Sequence, residues 1–161
     1  MTKQKIFQLL PYFEKAFLAI TAVGYINLLI GLNFPMILSI GLTGLAATFF
    51  LHAYKPLDLE RPKDETSSLA ELLGTTVIPK VLWMSASVST VGIMFYTLDL
   101  PGYLNMLTIG GTSLLIGSIV LLLLKVSGTR YLEETALVLY RAIPIMLVVA
   151  FILLVSEQIL G

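Results

Sequence analysis

The chain has 161 residues, of which 57% are hydrophobic and 12% are charged, and its ten basic and ten acidic residues cancel. Because a soluble domain carries about 25% charged residues, this composition excludes a water-soluble globule, a disordered chain and a basic nucleic-acid-binding protein. The absence of cysteine excludes disulfides, thiolate nucleophiles and cysteine metal sites. The class that remains is a polytopic membrane protein.

Long uncharged runs locate the membrane spans. Residues 16–54 carry no formal charge, residues 81–124 carry only Asp99, and the run after Glu134 is interrupted only by Arg141. A helix needs about 20 apolar residues to cross a bilayer, and Pro35 and Pro101, with turn residues beside them, divide the first two runs. We therefore predict an all-α integral membrane protein with five transmembrane helices, over roughly residues 14–32, 35–54, 79–98, 102–124 and 135–157.

The predicted organisation is a single membrane domain, residues 1–161. It comprises a first hairpin (1–56), a cytoplasmic loop (57–78), a second hairpin (79–124) and a C-terminal helix (125–161). Nine of the ten Lys and Arg residues fall on the side of the N-terminus, so the positive-inside rule predicts N-in/C-out. Within the loop, Ser68 and Glu71 fit a capping box, and Gly74 is expected to end the short helix that results.

The two predicted hairpins resemble each other. Val23-Gly24 matches Val91-Gly92, and residues 38–41 (LSIG) match residues 107–110 (LTIG). Such repeats would be two passes apart and would point the same way. This parity disfavours a transporter built from inverted repeats.

A few polar residues inside the apolar runs are candidates for function, because ionisable groups in lipid are costly. Asp99 either caps a hydrated turn or receives a proton or cation. Arg141 either snorkels to the surface or binds a lipid head group. Asn105, Ser85 and Ser89 complete the set, and the two serines either bond to neighbouring helices or line a polar path.

Other residues indicate packing rather than chemistry. His52 is the only histidine, and one imidazole cannot form a zinc site unaided. Because His52 falls at the inner end of the second predicted helix, we expect it at the membrane interface. Small residues at helical spacing predict close helix contacts in the second and fourth spans; they are Ser39, Thr43, Ala47, Ser113 and Gly117. No nucleophile–base pair, paired carboxylates or phosphate-binding loop is present. We expect no enzyme activity, no cofactor and no metal.

Two segments resemble a known family. Residues 41–56 (GLTGLAATFFLHAYKP) resemble the second membrane helix of the Bacteroidetes gliding-motility and type IX secretion motor protein GldL (PorL). Residues 95–102 (FYTLDLPG), followed by Met106-Leu107, are similar to that family's hairpin tip. The family's membrane glutamate falls on Leu45, and its membrane lysine falls on Ile30 or Tyr96. The resemblance therefore implies a related hairpin scaffold without the ion-carrying groups.

The leading functional hypothesis is a non-catalytic subunit of a bacterial inner membrane. It would be a scaffold or accessory component of a larger complex, beside a proton-driven gliding or secretion motor. Its expected partners are the lipid bilayer and other membrane-protein subunits, in a homo- or hetero-oligomer, and not nucleic acid. One alternative is a small transporter or channel for an ion, a proton or a neutral solute, and another is a lipid-binding membrane protein.

Overall fold

The computed structural model describes residues 3–32, 34–55, 69–127 and 133–160, which are helical apart from short turns. The helices are α1 (Lys3–Leu29), α2 (Pro35–His52), α3 (Leu69–Leu72), α4 (Ile78–Thr97), α5 (Tyr103–Val126) and α6 (Glu133–Leu160). Five stretches within them are long and apolar enough to cross a membrane. The prediction of an all-α protein with five helices long and apolar enough to span a membrane is confirmed for the described residues, and it suggests a multi-pass membrane protein.

The third span begins earlier than the sequence predicted. A π-helical turn, Leu73–Val77, joins α3 directly to α4, so Gly74 does not end a helix and that prediction is wrong. The amide of Ile78 donates to the carbonyl of Leu73, five residues back. This widened turn precedes Pro79, whose ring would clash in a regular α-helix and which has no N–H to donate. Ser68, the other end of the predicted capping box, lies outside the described residues.

The packing of the helices against one another shows which ends of the helices lie together. α1 packs against α2, α4 packs against α5 and α2, and α6 packs against α4 and α5. Contacts along these pairs place the start of α1, the end of α2, the start of α4, the end of α5 and the start of α6 at one end of the bundle. We call it the lysine end, for Lys15, Lys55, Lys80 and Lys125. The turns at 30–34 and 98–102 form the opposite, tip end.

A glycine brings the two helices together at the same place in each helix pair. A methyl group on Gly24 of α1 would lie 2.8 Å from the Cα of Leu38 in α2. A methyl group on Gly92 of α4 would lie 2.9 Å from the Cδ2 of Leu107 in α5. Both leucines are fully buried. These glycines and leucines are the residues matched in the sequence repeat.

A second glycine contact recurs on the partner helices. Gly41 of α2 lies against Thr21 of α1, where a methyl group would sit 2.6 Å from the threonine Oγ1. Gly110 of α5 lies against Ser89 of α4 in the corresponding way. In both pairs a hydroxyl residue stands three positions before the glycine of the first contact. The two helix pairs therefore share a packing pattern, in which small residues let the backbones approach closely.

The buried core has two parts. Towards the lysine end, apolar residues of α2, α4, α5 and α6 form one cluster that includes Phe49, Leu82, Trp83 and Leu114. Towards the tip end, the second cluster contains Leu38, Leu42, Ile93, Leu107 and Val149. Helix α6 contributes to both clusters and packs along α4 and α5. This position brings Arg141 to the lysine-end core.

Candidate functional site

Three ionisable side chains and one aromatic ring meet near the lysine end, and we call them the ionic cluster. Glu14 comes from α1, His52 from the last turn of α2, Trp83 from the start of α4 and Arg141 from α6. Their positions follow from the chain direction, since each lies within a few turns of the same end of its helix. The cluster thereby joins four of the five spanning helices.

Glu14 and Arg141 form the ion pair of the cluster. The Nη1 of Arg141 lies 2.9 Å from the Oε2 of Glu14, and the two side chains are 29% and 15% exposed, respectively. A carboxylate largely removed from water is costly unless a cation or hydrogen-bond donors face it. The guanidinium supplies the cation and makes the pair neutral as a unit, although the Oε2 of Glu14 accepts no hydrogen bond among the described residues.

His52 adds a directional contact to the pair. Its Nδ1 lies 2.9 Å from the carbonyl oxygen of Thr48. A carbonyl only accepts hydrogen bonds, so Nδ1 carries the proton and donates. In the neutral imidazole, Nε2 then holds a lone pair. This nitrogen lies 3.8 Å from the Oε2 of Glu14, and the histidine side chain is 7% exposed. A hydrogen-bond acceptor thus faces the carboxylate.

Trp83 covers the apolar side of the cluster. The centroid of its ring lies 4.6 Å from the centroid of His52 and 5.6 Å from that of Phe49. The Cζ of Arg141 lies 5.8 Å from the tryptophan centroid, within the range of a cation–π contact. The indole therefore holds the guanidinium and the imidazole from one side.

The structure does not bring the sequence-predicted polar residues together. Asp99 is exposed in the turn at the tip end, with a left-handed φ of 51°, and Asn105 is exposed nearby on α5. Ser85 and Ser89 are buried on α4. The hydroxyl of Ser89 has no hydrogen-bond partner. Arg141, in contrast, lies at the lysine end, so a site combining it with Asp99 does not form.

The predicted packing residues occupy mixed positions. Gly117 is buried, and a methyl group there would lie 2.9 Å from the Cδ2 of Leu82. Thr43 is exposed on one side but bonds across to the sulfur of Met94 at 3.3 Å. Ser39 and Ser113 are half-buried, and Ala47 is exposed. Close contacts between α1 and α2 fall instead on Gly24, Gly41 and Gly44, which lie outside the predicted stripe.

Several hydroxyl groups inside the bundle bond to backbone carbonyls. Ser87 donates across helices to the carbonyl of Ala46, with an Oγ–O distance of 2.9 Å. Others donate to the carbonyl four residues earlier in their own helix; these are Thr21, Thr48, Thr90 and Ser156. These bonds occupy the donors and leave the hydroxyl hydrogens unavailable to a passing solute.

Sequence reasoning missed Glu14 and His52 as members of a site. It did not single out Glu14, expected His52 at the interface, and considered Arg141 alone. The available signal was depth: Glu14 precedes Lys15, His52 stands one turn before Lys55, and Arg141 lies about two turns into the last helix. Three polar groups at one depth on antiparallel helices were the pattern to look for.

Among the described residues, no group of three or more His, Cys, Asp or Glu side chains is arranged to hold a metal ion. Comparisons with known protein families, curated proteins and solved structures find no match for this chain. The properties of the ionic cluster and of the helix packing therefore carry the functional argument.

Proposed function

We propose that this chain is a non-catalytic membrane subunit that acts as a scaffold or accessory component of a larger membrane complex. The observation that carries the proposal is the use of polar groups inside the bundle. Several hydroxyls donate to backbone carbonyls, Thr43 donates to the sulfur of Met94 on another helix, and Glu14 pairs with Arg141. Polar side chains used in this way fix helices against one another. They suit a rigid platform better than a route for a solute.

The setting of the proposal is a bacterial inner membrane, with the N-terminus and the lysine end inside. The positive-inside distribution of Lys and Arg supports this orientation. The resemblance to GldL suggests that the complex is a proton-driven gliding or secretion machine. Because Leu45 replaces that family's membrane glutamate, the role proposed here is structural and not ion-carrying.

Affinity purification in a mild detergent tests the scaffold proposal. A tagged chain, expressed from its own locus, is expected to recover other membrane proteins in fixed ratio. A matched control is an unrelated five-helix protein with the same tag and expression level. A clean monomer that moves a solute when reconstituted alone would contradict the proposal.

A second candidate function is a small transporter or channel for an ion, a proton or a neutral solute. The observation that favours it is the ionic cluster itself, because ionisable groups among membrane helices mark functional sites by default. Proteoliposome flux of the wild type is compared with Glu14→Gln and with Asp99→Asn, a carboxylate-to-amide change at the other end of the bundle. Flux lost only in Glu14→Gln supports this candidate, and absence of flux in the wild type removes it.

The lipid-binding alternative loses its main support. It rested on Arg141 and on the basic inner loop, and the guanidinium of Arg141 is engaged by Glu14 and Trp83. Native mass spectrometry of the purified chain tests what remains of it. Retention of an anionic lipid by the wild type, and its loss on removal of the basic residues at the lysine end, would restore it.

A further inference from the structure

We propose that His52 and Glu14 form a binding site for a single proton. Arg141 holds the Glu14 side chain of this site in position. The inference concerns a ligand that the scaffold role does not require, and it stands whether the chain is a scaffold or a transporter. It rests on the geometry of two acceptors that face each other inside the bundle.

The first step is the fixed orientation of the imidazole. The hydrogen bond from Nδ1 to the carbonyl of Thr48 leaves Nε2 as the unprotonated nitrogen of the neutral ring. Trp83 packs against the ring with a centroid distance of 4.6 Å, and the histidine side chain is only 7% exposed. The ring therefore presents its lone pair to Glu14 and not to water.

The second step is that the Nε2 of His52 and the Oε2 of Glu14 face each other without a proton between them. The Nε2 lone pair and the Oε2 of Glu14 are both acceptors, 3.8 Å apart, which is too long for a hydrogen bond. One proton on Nε2 turns the pair into a charge-assisted N–H···O contact, whose usual length is about 2.7–2.9 Å. The proton comes from water, a hydronium O–H bond breaks, and the new N–H bond forms. The cluster changes from neutral to a net charge of +1.

The third step is the charge around the site. Burial of the imidazole opposes its protonated form, and among the described charged side chains Glu14 from α1 favours that form, whereas Arg141 from α6 and Lys55 just beyond α2 oppose it. The proton is therefore held by Glu14 against these opposing effects. Trp83 from α4 contributes no charge. Arg141 holds the Glu14 carboxylate at 2.9 Å and keeps its position when the proton arrives. Glu14 and Arg141 are 15% and 29% exposed, respectively, so the site is not fully enclosed by the described helices.

The test uses the fact that His52 is the only histidine. An untagged chain labelled with ¹⁵N-histidine is reconstituted in lipid nanodiscs, and its imidazole signals are followed by NMR from pH 8 to pH 4. Neutral wild-type protein is expected to show the Nδ1–H form. In Glu14→Gln, the affinity of the imidazole for a proton should fall about tenfold. The control Asp99→Asn should titrate as the wild type does.

Two results overturn the proposal. The first is an Nε2–H form in the neutral wild type, since that form already donates to Glu14 and has no vacancy for the proton. The second is a Glu14→Gln variant whose proton affinity stays within about threefold of the wild type, a change of under half a pH unit. If Glu14→Gln fails to fold, the wild type decides the outcome: an Nδ1–H ring that gains a proton above pH 4 supports the proposal, and a ring that stays neutral down to pH 4 overturns it.

Discussion

Replacing Arg141 by methionine tests whether the ion pair holds the first and last helices together. At 2.9 Å, opposite unit charges attract by about 6 kcal/mol in surroundings of effective dielectric constant about 20. Water screens part of this attraction, because the Arg141 side chain is 29% exposed. Breaking a buried pair on one side typically costs about 3–5 kcal/mol. We expect Arg141→Met to lower the free energy of unfolding by about 3 kcal/mol, at the lower end of that range.

The partner substitution is expected to cost less. In Glu14→Gln the unpaired group is Arg141, whose long side chain can extend towards water at the lysine end. We expect a loss of about 1 kcal/mol for this variant. The double variant removes both charges and should lose about 2 kcal/mol, well under the sum of the single losses. The resulting coupling energy is about 2 kcal/mol.

Unfolding in mixed micelles of increasing SDS fraction measures these values. Circular dichroism reports the helices, and the fluorescence of Trp83, the only tryptophan, reports the cluster itself. Asp99→Asn serves as the control and should change the free energy of unfolding by less than about 0.5 kcal/mol. The reasoning fails if the two single losses are equal and simply add, since no coupling between Glu14 and Arg141 would then exist.

Three further predictions concern packing and orientation. Gly41→Ala should destabilise the bundle by about 1–3 kcal/mol in the same assay, because its methyl group would overlap α1. Ser87→Ala should cost about 0.6 kcal/mol by losing its bond to a neighbouring helix, and Thr112→Ala, whose hydroxyl bonds within its own exposed helix face, should cost less. In intact cells, a membrane-impermeant maleimide should label Leu100→Cys but not Lys55→Cys, and the reverse pattern would reject N-in/C-out.

Sequence patterns were sufficient to predict the five spanning helices, because the absence of charge over about 20 residues reflects the bilayer itself. They failed at Gly74, where the local signal for a helix end is overridden by the π-helical turn before Pro79. Helix propensities describe single residues, but they do not show how a helix changes its geometry before a proline a few positions ahead.

The repeat was readable from sequence, whereas the ionic cluster was not. Gly24 and Gly92 could be matched because the residues around them are similar in the two halves of the chain's own repeat. Glu14, His52 and Arg141 have no common motif, since they meet only through the packing of three separate helices. Whether side chains on two different helices meet depends on how each helix is rotated about its own axis. The apolar runs of the sequence do not determine that rotation.

The union of Glu14 with Arg141 has a consequence for biosynthesis. The ribosome delivers the carboxylate with the first helix and its guanidinium only with the last. Until the last helix has been synthesised, the Glu14 carboxylate of the nascent protein has no Arg141 guanidinium to pair with. A chain that stops early, or whose final helix fails to insert, keeps this defect. Completion of the bundle is therefore marked by neutralisation of the Glu14 carboxylate, and a copy without α6 leaves that carboxylate without its guanidinium partner.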